Sequence, residues 1–143
     1  MKSEICNSVL RSLPLWFGIE AAIVDYVNNV QSMDTWASYE GDLLTGFISI
    51  KRHFAETAEV YVVGIKDRFH RQGIGHQLLQ VVKDDLRKNN FKFLTVKTLS
   101  EARPNKEYEQ TRKFYLKAGF VPLEEFKTLW DEHNPFLFML MSI

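Results

Sequence analysis

Apolar residues recur at helical spacing in four stretches of the chain, and between them they alternate or run together as in strands. Residues 3–13 carry Ile5, Val9, Leu10 and Leu13 on one helical face and stop at Pro14. The stretch "GIEAAIVDYVNNVQS" repeats that spacing with Ile19, Ile23, Tyr26, Val27 and Val30. The period then changes: "TWASYEGDLLTGFISIKRH" is two apolar runs around a Gly41-Asp42 turn signal, which predicts a hairpin. "TAEVYVVGIK" is denser in Val and Ile and predicts a central strand covered on both faces. Ile74, Leu78, Val81, Val82 and Leu86 predict a third helix to about Asn90, followed by a compact strand "FKFLTVKT". Strand, loop, helix and strand in that order make a crossover unit, whose two strands are parallel. "EYEQTRKFYLKAGF" predicts a fourth helix closed by Gly119 in the left-handed region. "FVPLEEFKTLW" and "PFLFMLMSI", joined by "DEHN", predict a final antiparallel pair. The pattern as a whole predicts an α/β fold, a mixed sheet with helices on both faces.

At 143 residues, with 45% hydrophobic and 25% charged positions, the expected organisation is one domain over residues 1–143. Lys and Arg number 18, as do Asp and Glu, and this balance argues against a surface that coats nucleic acid. The single cysteine, Cys6, leaves no disulfide or CxxC pair, and a reducing, cytoplasmic setting is expected. The terminal run "PFLFMLMSI" is too short for a membrane helix, so no membrane association is expected. It also leaves a homodimer open, because it reads equally well as an exposed edge or a core strand. His53, His70, His76 and His133 are scattered and read as surface residues, so no metal is expected.

The segment "IKDRFHRQGIGHQLLQVV" holds the clearest chemistry. A helix N-terminus leaves backbone N–H groups unpaired and partly positive, and Gly73 and Gly75 remove side chains from its approach. Lys66, Arg68, His70 and Arg71 add positive charge, and the helix opens without a Ser, Thr or Asp cap. A phosphate or diphosphate suits this arrangement, although an isolated GxG also fits a plain tight turn. Leu78 stands where a dinucleotide fingerprint needs a third glycine, and no Gly-Lys-Ser/Thr is present.

With its Arg/Gln-x-x-Gly-x-Gly/Ala type of loop, the segment His70 to Gly75 resembles the phosphate signature of the GNAT superfamily of acyl-CoA-dependent N-acyltransferases, with His70 in the first position. "TRKFYLKAGF" is similar to that family's tyrosine-bearing helix, with Tyr115 at the tyrosine position and Tyr108 where asparagine is common. The resemblance implies a mostly antiparallel sheet with its one parallel pair at the cofactor site. It implies acetyl-CoA as co-substrate, a primary amine of a small molecule or peptide as acceptor, and direct attack in a ternary complex. Arg71, Gln72, Gly73, Ile74, Gly75 and His76 would bind the diphosphate, and the backbone of Val63, Gly64 and Ile65 would pair with the pantetheine arm.

By the same resemblance Tyr115 would protonate the leaving thiolate and Glu59 would accept the amine proton, with Glu56 close enough to compete. Strand alternation puts Glu59, Tyr61 and Val63 on one face. Gly64 in mid-strand fits either a close ligand approach or a bulge. Trp16, Phe17, Tyr26, Trp36 and Trp130 fit either an acceptor pocket or the core. A non-catalytic acyl-CoA-binding module is the alternative reading of the same loop.

Overall fold

The computed structural model describes residues 1–130 and 133–143. Two helices, α1 (Lys2–Arg11) and α2 (Glu20–Asn29), precede a hairpin of β1 (Asp34–Glu40) and β2 (Leu43–Phe54). The hairpin turns at Gly41, whose φ of 63° is the left-handed conformation that glycine adopts at no steric cost. Next come β3 (Thr57–Ile65), α3 (Ile74–Lys88), β4 (Phe93–Leu99) and α4 (Lys106–Ala118), and the chain closes with β5 (Val121–Phe126) and β6 (Phe136–Ser142). The six strands lie in the order β1-β2-β3-β4-β6-β5, and β3–β4 is the one parallel pair among the described residues. This is the mixed, mostly antiparallel α/β sheet that the sequence predicts. The "DEHN" connection falls partly outside the described residues.

Each face of the sheet has its own core. Leu78, Leu79, Val82 and Leu86 of α3 pack with Tyr115 and Phe120 against Ile48, Val60, Leu94 and Met139. Cys6, Val9, Leu10 and Leu13 pack with Ile23 of α2 against Phe47 and Val62 on the opposite face. Burying each such aliphatic side chain contributes about 1.5–3 kcal/mol, so the apolar stripe of α3 fixes that helix on the sheet more firmly than its weak capping does. Asn105 caps α4 by accepting from the Tyr108 N–H, and Gly119 (φ 110°) ends it. Among the described residues no helix is long and apolar enough to cross a membrane.

The strands settle one open reading and correct one expectation. "PFLFMLMSI" forms β6, which lies between β4 and β5 and is therefore the interior strand of the two readings; β1 and β5 are the edges. Glu59, Tyr61 and Val63 do not share a face. The β2–β3 register jumps from Ser49↔Val62 to Ile50↔Val60, making Tyr61 the extra residue of a bulge. Ala58 and Val60 before it, and Val63 and Ile65 after it, pack with the α3 core, while Tyr61 and Val62 pack with the α1 core. Gly64 lies outside that bulge, and a Cβ built there would lie 2.9 Å from Val9 Cγ1, so its bare backbone lets α1 sit down on β3.

Candidate active site

The parallel ladder between β3 and β4 runs only from Thr57↔Phe93 to Val60↔Val96. Beyond that point β3 stays paired with β2 as far as Ile65↔Gly46, and β4 stays paired with β6 as far as Leu99↔Phe136. The two strands therefore part, and from Tyr61 onward β3 has a free edge whose alternate N–H and C=O groups face a cleft. Val63, Gly64 and Ile65 line it. One of their acceptors is already engaged, because His70 Nε2 lies 2.5 Å from the Ile65 carbonyl oxygen.

Where β3 ends, Arg71 (φ 64°) and Gly73 (φ 80°) both adopt the left-handed conformation on either side of Gln72. Such a turn directs successive N–H groups into one concavity. Arg71, Gln72 and Gly73 are exposed, and nothing lies within 4 Å of a Cβ built on Gly73. No side chain caps α3, and its first internal bond runs from Gln77 N–H to Gly73 C=O at 3.0 Å. The amides of Ile74, Gly75 and His76 thus have no acceptor within the helix. Gly75 differs from Gly73: a Cβ there would meet Phe114 Cε1 at 2.9 Å, so its missing side chain makes room for the protein's own ring rather than for a ligand. Arg68 leans over the Phe69 ring, 4.9 Å from its centroid.

Tyr115 projects from α4 into the α3 core at 4% exposure, with its ring against Phe114 and Phe120. It is not an ordinary phenol. Burial pushes its pKa up, and the nearby hydroxyls of Tyr108 and Tyr26 add to the shift. Tyr26 is raised in the same direction, first by burial and then by Tyr108, Tyr61, Cys6 and Glu59. Tyr26 thus stands near both Tyr115 and Glu59, a link that its place in a helical apolar stripe did not reveal.

Glu59 lies next to the last ladder pair and is 7% exposed. His53 Nε2 bonds its Oε1 at 2.6 Å, and Lys97 Nζ lies 3.5 Å from its Oε2. Glu56 is away from this cluster, in the β2–β3 turn, paired with Lys92 at 3.3 Å. His53 is a surface residue as expected, yet its ring nitrogen reaches the buried carboxylate.

The proposed aromatic set divides. Phe17 and Tyr26 meet edge to face, and Tyr26 meets Tyr61 in the same way. Trp36 packs with the α3 core, and Trp130 lies on Phe136. Trp16 bridges the cleft walls: its Nε1 donates to the Glu107 carbonyl at 3.1 Å, its own carbonyl accepts from the Tyr108 hydroxyl at 2.7 Å, and its ring meets His70 at 5.4 Å.

Comparison with known proteins agrees with this geometry. The family profile described as "Acetyltransferase (GNAT) domain" matches residues 31–122, well over half of the chain. A curated Bacillus subtilis (strain 168) protein, described as an uncharacterized N-acetyltransferase, YsnE, is 27% identical over 99 residues. That match takes in 69% of this chain and 63% of the relative's length. A GNAT family acetyltransferase from Elizabethkingia anophelis, solved with acetyl-CoA bound, superposes with TM-score 0.72 at 20% identity, covering 92% of this chain and 88% of the other. An aminoglycoside 6'-N-acetyltransferase complexed with coenzyme A gives TM-score 0.76 at 15% identity, covering 98% and 89%. At such identities the two structures speak for the fold, and it is the profile, spanning the parted strands and the bare helix N-terminus, that establishes that the chain belongs to the GNAT acetyltransferase family.

Proposed function

We propose that this protein, one domain over residues 1–143 working in the cytoplasm, transfers the acetyl group of acetyl-CoA to a primary amine of a small molecule or peptide. The observation that carries the reading is the β3–β4 ladder ending at Val60↔Val96 directly before an uncapped α3. A free strand edge followed by unpaired amides suits a ligand with an amide-bearing arm and a diphosphate. The acetyl-CoA and coenzyme A present in the two structural neighbours support that choice of ligand.

In this reading the amides of Ile74, Gly75 and His76, with the turn Arg71–Gln72–Gly73, hold the diphosphate. Val63, Gly64 and the remaining free groups of Ile65 pair with the pantetheine. Glu59 takes one proton from the acceptor ammonium, directly or through a water, and the neutral amine attacks the thioester carbonyl. A backbone N–H of the free β3 edge polarises that carbonyl. As the C–S bond breaks, the Tyr115 phenol protonates the sulfur, and the second nitrogen proton restores the phenol. The sum is one amide, one thiol and one proton released from Glu59 to water. Burial suits Tyr115 to this role, since the raised pKa keeps it protonated through neutral pH.

The test is calorimetric titration with acetyl-CoA, followed by a panel of primary amines read by free-thiol release. Binding with thiol release on at least one amine is expected. Binding with no release on any amine would favour a non-catalytic acyl-CoA-binding module, and absence of binding would end both readings.

A further inference from the structure

Glu59 has two partners, one on each neighbouring strand, and neither has a counterpart in the mechanism above. Lys97 stands one residue beyond the last β3–β4 pair and reaches back across the apex of the cleft to Oε2. His53 comes from the other side. It is the residue skipped where the β2–β3 register passes from Arg52↔Ala58 to Phe54↔Thr57, and a bulge of this kind re-aims a side chain. Its ring is 35% exposed, while the carboxylate it contacts is 9% exposed. A 2.6 Å contact to a carboxylate requires the nitrogen to be the donor. Tyr61 and Tyr26 feel the same carboxylate from β3 and α2, and Lys51 is its register partner on β2.

We propose that His53 is a positioning residue for the base: Nε2–H holds Glu59 Oε1 and so turns Oε2 toward the cleft apex, where the acceptor amine arrives. The inference rests on the proposed acetyl transfer with Glu59 as base. A carboxylate that served only to tie β2, β3 and β4 together would need the same partners, but His53 would then bear on stability and not on kcat, with Lys97 3.5 Å from Oε2 in either case.

Steady-state kinetics with acetyl-CoA and the fastest amine of the panel separate the two. Removing the base in E59Q is expected to lower kcat about 100-fold or more. H53A is expected to lower kcat about 10-fold, with the KM for acetyl-CoA unchanged, as loss of one charge-assisted hydrogen bond predicts. H53Q, whose amide N–H can replace Nε2–H, should recover most of that loss, and E59Q/H53A should be no slower than E59Q alone. Imidazole 15N NMR of the wild type, which needs no acceptor, should find His53 protonated at Nε2, with that signal lost in E59Q. The inference is overturned if H53A keeps wild-type kcat, if H53Q is as slow as H53A, or if Nε2 is unprotonated. A silent H53A beside a crippled E59Q removes only His53, whereas full activity in E59Q removes Glu59 as base and this inference with it.

Discussion

Gly73 and Gly75 look alike in the sequence and have different physical reasons, so replacing each by alanine tests how the loop works. In Gly75→Ala the new Cβ would sit 2.9 Å from Phe114 Cε1 and 3.1 Å from Phe114 Cζ, closer than carbon atoms tolerate. Phe114 has little freedom to retreat, with His76 at 4.6 Å and Tyr115 at 5.3 Å between ring centroids. Overpacking of this kind costs about 1–3 kcal/mol, and alanine in place of glycine within a helix returns about 1 kcal/mol. The net loss is about 1 kcal/mol, which lowers Tm by about 3–4 °C in a domain of this size. Acetyl-CoA affinity should change less than threefold, because the methyl group points at α4 and not at the helix mouth. Gly73→Ala inverts the pattern. Nothing crowds the Cβ, but a φ of 80° costs an L-residue about 1–2 kcal/mol, and a turn that relaxes to escape it loses the convergence of its amides. Affinity should then fall at least tenfold. Scanning calorimetry and isothermal titration read both quantities. A Gly75→Ala protein with unchanged Tm and tenfold weaker binding would show that the ligand and not Phe114 claims that space, and would refute the argument.

Tyr115→Phe should lower kcat by about 10²-fold or more while leaving acetyl-CoA affinity within twofold, measured by thiol release and titration. Burial raises the Cys6 thiol to about 12 from 9.0, so its contribution to stability is complete below pH 9 and is lost as pH rises toward 12; urea midpoints should fall between pH 8 and pH 10.5, and less so in Cys6→Ala. The same thiol should resist alkylation at pH 8 until the protein unfolds. Trp16→Phe removes the indole N–H bond to Glu107 and should raise the KM for the amine more than that for acetyl-CoA.

The elements were legible because each one's burial follows its own period. The stripe of α3, the Val-rich β3 and the Gly41 and Gly119 turns are local statements that tertiary contacts did not override. The bulge at Tyr61 was not legible, since it depends on the fit of β3 to β2 and not on β3 itself, and missing it put Val63 on the wrong face. Gly73 and Gly75 were read as ligand clearance and Gly64 as a ligand approach or a bulge, yet two of the three answer to side chains distant in sequence: Gly64 to Val9 and Gly75 to Phe114. His53 carries no signal at all in the chain around it. Only its strand register brings it to Glu59, and an exposed histidine in a hairpin arm gives no hint of that. Tyr115 and the loop from Arg71 to His76 were singled out through the resemblance, whose motifs are short enough to read along the chain.

The parted strands are each held by their own neighbours. Beyond Val60↔Val96 nothing in the backbone forbids β3 and β4 from continuing their ladder, and each further pair would satisfy groups now left to solvent or ligand. The strands are kept apart by what each is fixed to. On one side, α1 packs on Gly64 and β2 pairs along β3 to Ile65. On the other, β6 holds β4 to Leu99, whose carbonyl accepts from Arg112 of α4 at 2.8 Å. Phe114 and Tyr115 then enter beside α3, Phe114 against Gly75 and Tyr115 in the core, and set how near α4 can approach. Aromatic packing between α3 and α4 thus lies beside the parted strands, and the side chain proposed to protonate the thiolate is part of it.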